Sequence, residues 1–307
     1  MKTTNYFMKI TIFLMILTGG IILVTYVLTP EIPSFYKENH YDVVFFGTSQ
    51  SYCSFDPLVF DEYNLKTYNR GRQQQTMNYT YYYIKDALDA CDIDVIVLEV
   101  FGMFYEADDD GFIREGVGDS TLNDMRMSGT KIEAIRDCVP KEMQIGYLFP
   151  LDKYHSRWEE LEYVSVNDLT QDIMNHYYDE SDRGYMRWTE AQMCVDDYWS
   201  IAFSEVRRSV YDENMKYLNN IYELCQKKGV ELVLVKAPLP CYDRVIEETN
   251  TVSDWANVEF INYMRLQDVL ELNFYTDSLD GGTHLNENGA GKVSKHLAAY
   301  LKEKYFE

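Results

Sequence analysis

The chain has 307 residues, 46% of them hydrophobic and 15% aromatic, enough to bury the core of one large α/β domain or two small ones. Its 28 basic and 50 acidic side chains leave a formal net charge of −22, which excludes the clustered cations that a nucleic-acid backbone requires. Six cysteines, at 53, 91, 138, 194, 225 and 241, show no CxxC or Cys/His ligand spacing, so no metal centre is indicated and no disulfide is demanded.

The N-terminus differs from everything after it. Residues 6–28, YFMKITIFLMILTGGIILVTYVL, are apolar, and no charged residue lies between Ile10 and Leu28. At 1.5 Å per residue that run spans roughly 28 Å, close to the hydrocarbon thickness of a bilayer. Lys2 and Lys9 precede it and Glu31 follows it, an asymmetry that puts the N-terminus in the cytoplasm. The stretch ends without a small-x-small cleavage site, which favours a retained signal anchor over a cleaved signal peptide. The expected organisation is an anchor over residues 1–29, a linker over 30–40 with two nearby prolines, and an extracytoplasmic domain over 41–307. The chain is thus expected to be a single-pass protein of the cell membrane.

Within that domain, DVVFFG (42–47) reads as a buried strand and LKTYNRG (65–71) as a weaker second one. MNYTYYYIKDALDAC (77–91) has helical spacing, its tyrosine run reading as one side of a packed helix, and DVIVLEVF (94–101) is a third strand. RRSVYDENMKYLNNIYELCQKKG (207–229) is a helix closed by lysines and a glycine, a common C-terminal signature. VELVLVKAP (230–238) and VEFINYM (258–264) are strands four and five, and NENGAGKVSKHLAAYLKEKY (286–305) is a final amphipathic helix. Strands apolar on both faces, alternating with helices, predict an α/β fold with a doubly wound, mainly parallel five-stranded sheet.

The pattern changes at about 105–203, which reads as a mostly helical insertion shaping the space above the sheet. His155 and Trp158 there suggest stacking on a sugar face, but helix packing is the reading adopted, with Arg157 and Glu160 on a solvated face. DDDG (108–111) lacks the alternating ligands of an EF-hand and reads as an acidic loop. No HExxH, P-loop or paired Cys/His motif requires a metal or nucleotide, so no cofactor is expected.

In a parallel sheet, ligands bind beyond the carboxyl ends of the strands. Ser49 follows strand one, Gly71 and GRQQQ follow strand two, and DSLDGGTHLNENGAGK (277–292) follows strand five. A serine becomes a nucleophile when a base takes its proton and an anion orients that base. Ser49 would be the hydroxyl, His284 the imidazole and Asp280 the carboxylate four residues earlier. Backbone amides at the turn after strand one, with the Gly71 N–H, would hold the developing oxyanion. Read alone, Ser49 is as well explained as a helix N-cap, and His284 as a solvent-facing residue ahead of a cap at Asn286. Taken together they make a nucleophile, a base and an orienter.

The residues FFGTSQS, YNRGRQQQ and DGGTHLNENGA resemble three sequence blocks of the SGNH/GDSL hydrolase superfamily. The chain looks closest to membrane-anchored extracytoplasmic members related to the teichoic-acid D-alanylation protein and the alginate acetylation proteins. The resemblance covers roughly residues 40–104 and 207–305. It implies a flavodoxin-like SGNH fold, with Ser49 as nucleophile, His284 as base and Asp280 as its partner. It also implies that the amides of Ser49 and Gly71 lie in the oxyanion hole. Two departures stand out. The usual final block has Asp three residues before His, where this chain has Gly281, and Asp277 is the fallback orienter. The usual asparagine after strand three is absent from LEVFGM, so a side chain among Gln73, Gln74 and Gln75 would substitute, with Gln74 chosen.

The function so implied is O-acylation of a cell-surface polysaccharide or teichoic polymer through an acyl-serine, with a membrane-bound O-acyltransferase as partner. A de-O-acylating esterase shares the same intermediate. A catalytically inactive scaffold binding a surface glycan or a membrane acyltransferase is the non-enzymatic alternative.

Overall fold

The computed structural model describes residues 2–28, 31–105, 117–149, 177–178, 181–191, 203–239, 243–255 and 257–307. The first helix, α1 (Lys2–Leu28), contains a stretch from Tyr6 to Thr25 that is long and apolar enough to cross a membrane and is not covered by the rest of the chain.

Five parallel strands form the central sheet. They are β1 (His40–Phe46), β2 (Thr67–Asn69), β3 (Asp92–Glu99), β4 (Glu231–Lys236) and β5 (Glu259–Asn262), in the spatial order β2-β1-β3-β4-β5. Each begins within three residues of its sequence-based expectation; outside the short β2 (TYN) this follows from apolar runs that bound the strands. Alternate side chains face opposite ways. Val44, Phe46, Ile96, Leu98 and Leu234 pack under α3 (Met77–Ala90) and α6 (Asp212–Lys228), through residues such as Tyr83, Leu218 and Ile221. Val43, Phe45, Val97, Val233 and Val235 pack against α8 (Glu287–Tyr305), through Val293 and Leu297. Helices therefore cover both faces, which is why the strands read as continuous apolar runs. Fully burying one phenylalanine such as Phe45 contributes about 2–3 kcal/mol.

Local signals end the helices. α6 closes at Gly229, whose φ of 69° is left-handed and is easily adopted without a Cβ. The Asn286 side chain accepts from the N–H groups of Asn288 and Gly289 to start α8. One helix, α7 (Asp243–Trp255), has no counterpart in the sequence reading. Its sequence, DRVIEETNTVSDW, buries few apolar residues, among them Ile246 and Val252.

Between β3 and α6, α4 (Val117–Asp124) and α5 (Gly129–Cys138) pack on α3 through Leu122, Ala134, Ile135 and Cys138. Tyr79, Tyr82 and Tyr83 of the tyrosine run are buried in that same core. The acidic loop at 108–111, His155, Arg157, Trp158, Glu160, Cys194 and Cys241 lie outside the described residues. Cys53, Cys91, Cys138 and Cys225 are free thiols, and burial pushes all four pKa values up.

Residues 31–40, read from sequence as part of a spacer, are built into the fold. Ile32 and Pro33 pair in parallel with Tyr177 and Tyr178. Phe35 is fully buried and stacks on Tyr41 with ring centroids 4.9 Å apart. The buried guanidinium of Arg70 sits 4.3 Å from the Phe35 ring and 3.9 Å from that of Tyr83, and pairs with Asp86 at 3.3 Å.

Candidate active site

The turn after β1 is built to present a hydroxyl. Gly47 has φ 137°, and a Cβ there would lie 2.8 Å from the Glu99 carbonyl oxygen. Any larger residue would push β1 off β3. Thr48 then caps α2 (Ser49–Ser54), its Oγ1 accepting from the Gln50 N–H at 3.2 Å and donating to Glu99 Oε2 at 3.4 Å. The cap is therefore Thr48, which leaves the half-buried Ser49 hydroxyl for another partner. That partner is His284, whose Nε2 is 2.8 Å from Ser49 Oγ, across 235 positions of sequence.

The loop before α8 sets the imidazole. Ser278 and Leu279 pair antiparallel with Leu285 and His284, and the link between them is left-handed, with φ of 53° at Asp280, 66° at Gly281 and 96° at Gly282. Asp tolerates this region better than most residues, and glycine enters it freely. The reversal brings Asp280 Oδ2 to 3.2 Å from His284 Nδ1. Gln50 Nε2 donates to the Thr283 carbonyl at 2.7 Å, tying α2 to this loop. With the proton on Nδ1, the imidazole donates to Asp280 and accepts from Ser49. The His284 side chain is 20% exposed and that of Asp280 is 58% exposed. Asp277 points elsewhere. Its nearly buried carboxylate accepts from Lys292 Nζ at 2.7 Å, the Asn273 N–H at 2.8 Å and Thr276 Oγ1 at 3.0 Å.

The oxyanion side is less open than the sequence reading has it. Ser49 is the first residue of α2, so no carbonyl of the helix can receive its N–H. The Gly71 N–H donates to Asn69 Oδ1 at 3.0 Å. The same oxygen accepts from Ser51 Oγ, while Asn69 Nδ2 donates to the carbonyls of Ser51 and Phe55. Asn69 thus clamps α2 against β2. Gly71 is needed there for close approach, since a Cβ would lie 2.9 Å from Ser51 Cβ and 3.0 Å from the Thr48 carbonyl oxygen. Gln73 and Gln74 are exposed, Gln74 with φ 51°. Gln75 is buried, donates to Thr121 Oγ1 at 2.9 Å and accepts from Thr80 at 3.2 Å.

Four contributors escaped the sequence reading. Tyr52 stands one helical turn after Ser49, and burial pushes the pKa of its hydroxyl up to about 12 while Ser49 lowers it. Its i, i+3 spacing was the available signal. Asn69 is a buried amide at a strand end, where a clamp is the usual use. Glu99 and Lys236, both fully buried, face each other at 3.6 Å at the carboxyl ends of β3 and β4. Burial pushes the Glu99 carboxyl up and Lys236 opposes the shift. Glu99 also accepts from the Phe101 N–H at 3.0 Å, so it braces the turn that carries Thr48.

A cleft of about 630 Å³ is lined by Tyr52, Gly71 and Arg72, with Ser120, Tyr185 and Arg187 among its other lining residues; it reaches the site through Tyr52 and Gly71, while Ser49, His284 and Asp280 do not line it. Residues 181–191 strap over it. The Arg183 carbonyl accepts from the Asn69 N–H at 2.9 Å, the Met186 N–H donates to the Tyr52 carbonyl at 2.9 Å, and the Trp188 carbonyl accepts from the Glu287 N–H at 2.8 Å. Both arginines are paired, Arg72 with Asp124 and Arg187 with Asp56 at 3.2 Å. Among the described residues, His40, Asp42 and Asp94 place metal-type ligand atoms together, at the amino ends of β1 and β3 and so at the far edge of the sheet from Ser49.

This geometry can polarise a hydroxyl and hold the resulting imidazolium. No protein-family model matches the chain, and no curated protein matches it.

Proposed function

We propose that the chain is a membrane-anchored SGNH-type serine enzyme that moves a small acyl group through an acyl-serine, with α1 as a signal anchor and the domain outside the cell membrane. The observation that carries this reading is the relay Ser49–His284–Asp280, at 2.8 and 3.2 Å. Its place at the carboxyl edge of a parallel sheet ordered β2-β1-β3-β4-β5 also fits, since that order is the flavodoxin-like one and ligands gather at such an edge.

In the proposed cycle Ser49 Oγ attacks the acyl carbonyl while His284 Nε2 takes its proton. The new oxyanion meets the Ser49 N–H, and Asp280 steadies the imidazolium. His284 returns the proton to the departing oxygen, leaving Ser49 acylated. A hydroxyl of a surface glycan or teichoic polymer, deprotonated by the same imidazole, then attacks the acyl carbon; the acyl–Ser49 bond breaks and His284 returns the proton to Ser49 Oγ, and water in that role makes the enzyme an esterase. A membrane-bound O-acyltransferase is the proposed source of the acyl group. The Gly71 N–H, spent on Asn69 Oδ1, favours the second reading, an inactive scaffold that binds a glycan or a membrane acyltransferase.

The full chain in detergent, treated with a fluorophosphonate probe, tests the choice. Labelling is expected in the wild type, absent in Ser49→Ala and strongly reduced in His284→Ala. A wild type that takes no label would leave the scaffold reading, and labelling that persists in Ser49→Ala would remove Ser49 as nucleophile. Product analysis with p-nitrophenyl acetate and an added sugar acceptor separates transfer from hydrolysis.

A further inference from the structure

We propose that the apolar surface around the helix Gln144–Leu148 rests on the lipid bilayer, beside the exit of α1, and fixes how the domain sits on the membrane. The inference builds on the reading of α1 as a membrane-spanning anchor.

The first step is distance. α1 ends at Leu28, and Ile32 is already paired with Tyr177. Four residue steps reach at most about 14 Å, so the folded domain has no long tether and some face of it must adjoin the membrane.

The second step identifies that face. α4 packs against Ile32–Pro33, and the Tyr36 hydroxyl donates to the Asp124 carbonyl at the end of α4. Asp119, also on α4, is bonded by the hydroxyl of Tyr147, which belongs to the helix Gln144–Leu148. That helix is therefore separated from the anchor's exit by a single packed element.

The third step is surface chemistry. The helix buries none of its residues. Tyr147 turns toward Asp119, while Ile145 and Phe149 are 59% and 63% exposed and Leu148 is exposed too. Positions three and four apart share one side of a helix, and exposed apolar groups so placed mark a contact surface. Residues 131–149 carry Lys131, Arg136 and Lys141 against Glu133, Asp137 and Glu142, a balance of zero in a chain of net charge −22. An anionic membrane repels most of this protein but not this segment. The bilayer is the one apolar phase that the chain itself brings within reach, so it is the occupant assigned. Ser120 of α4 lines the cleft that Tyr52 and Gly71 also line, and the contact would hold that cleft close to the lipid headgroups.

The test uses the full chain in phosphatidylcholine–phosphatidylglycerol nanodiscs. An NBD fluorophore is attached at Ile145→Cys or Phe149→Cys in a Cys194→Ser, Cys241→Ser background, the four other thiols being buried. Lys295→Cys, exposed on α8 across the sheet, is the control. Blue-shifted emission at 145 and 149, with at least a twofold loss of intensity when shallow doxyl-phosphatidylcholine is included and none at 295, is the expected result. Emission at 145 and 149 matching the control overturns the inference. A blue shift without lipid quenching also overturns it, because protein then covers the patch. Alkaline carbonate extraction of native membranes tests α1 separately. A chain that resists extraction yet shows no quenching defeats the contact alone. An extracted chain defeats the anchor and with it the contact, which rests on that reading.

Discussion

Asp280→Ala removes the carboxylate that orients His284; the side chain is 58% exposed, so the only other cost is the backbone one of holding an alanine at the left-handed φ of 53°, which the Tm of the variant reads. In the proposed reaction the imidazole becomes charged only as Ser49 loses its proton, so the carboxylate acts on kcat rather than on substrate binding. Two unit charges about 4 Å apart interact by about 1 kcal/mol in water and about 4 kcal/mol at an effective dielectric of 20. The exposure of Asp280 places this pair near the lower figure, at about 1–2 kcal/mol. The expected loss in kcat is about 5- to 30-fold, far below the roughly 10⁴-fold cost of neutralising a buried triad aspartate. The assay is hydrolysis of p-nitrophenyl acetate by the full chain, with Tm measured on each variant. Asp277→Asn is the paired variant. It breaks a nearly buried contact with Lys292, so it should lower stability by about 2–3 kcal/mol while changing kcat of the folded fraction less than about twofold. A loss above about 1,000-fold in Asp280→Ala would refute the exposure argument. A loss of activity in Asp277→Asn at unchanged Tm would make Asp277 the orienter.

Two further substitutions probe the frame around the site. Gly71→Ala places a methyl 2.9 Å from Ser51 Cβ and 3.0 Å from the Thr48 carbonyl oxygen, and a strand end and a capped helix give way poorly. It should cost about 1–3 kcal/mol and slow fluorophosphonate labelling of Ser49, and an unchanged Tm and labelling rate would show that α2 does not pack this tightly on β2. Phe35→Ala empties a fully buried site between Tyr41 and Arg70 and should destabilise the domain by about 3–5 kcal/mol in chemical denaturation; a spacer residue would cost nothing.

Much of this architecture was legible before folding was considered. Two-sided apolar runs such as DVVFF and ELVLV specify strands covered on both faces, because no other environment removes both sets of side chains from water. The left-handed Gly229 and the cap at Asn286 end and start helices through groups local to the chain, so they too could be read in place. The charge-free run from Ile10 to Leu28 marks an apolar span by length and composition alone. The meeting of Ser49 and His284 was different. It was expected from their places after the first and last strands of a parallel sheet and from a resemblance in short blocks, since no periodicity links residues 235 positions apart.

What only the tertiary structure decided lies wherever the outcome depends on which of two nearby groups points inward. Asp277 and Asp280 are chemically alike, and three consecutive left-handed residues turn one toward His284 while Lys292 and the Asn273 N–H hold the other. The Gly71 amide, expected to face an oxyanion, meets Asn69 Oδ1 instead, a competition between neighbours that no spacing reports. The stretch 29–40 looked like a spacer because it has two prolines and mixed polarity. The burial of Phe35 against Tyr41 and Arg70 reverses that reading. Sequence by itself determines the apolar phase each segment seeks and the local caps that bound it. The choice among equivalent polar groups belongs to the fold, since their desolvation and pairing are settled by partners distant along the chain.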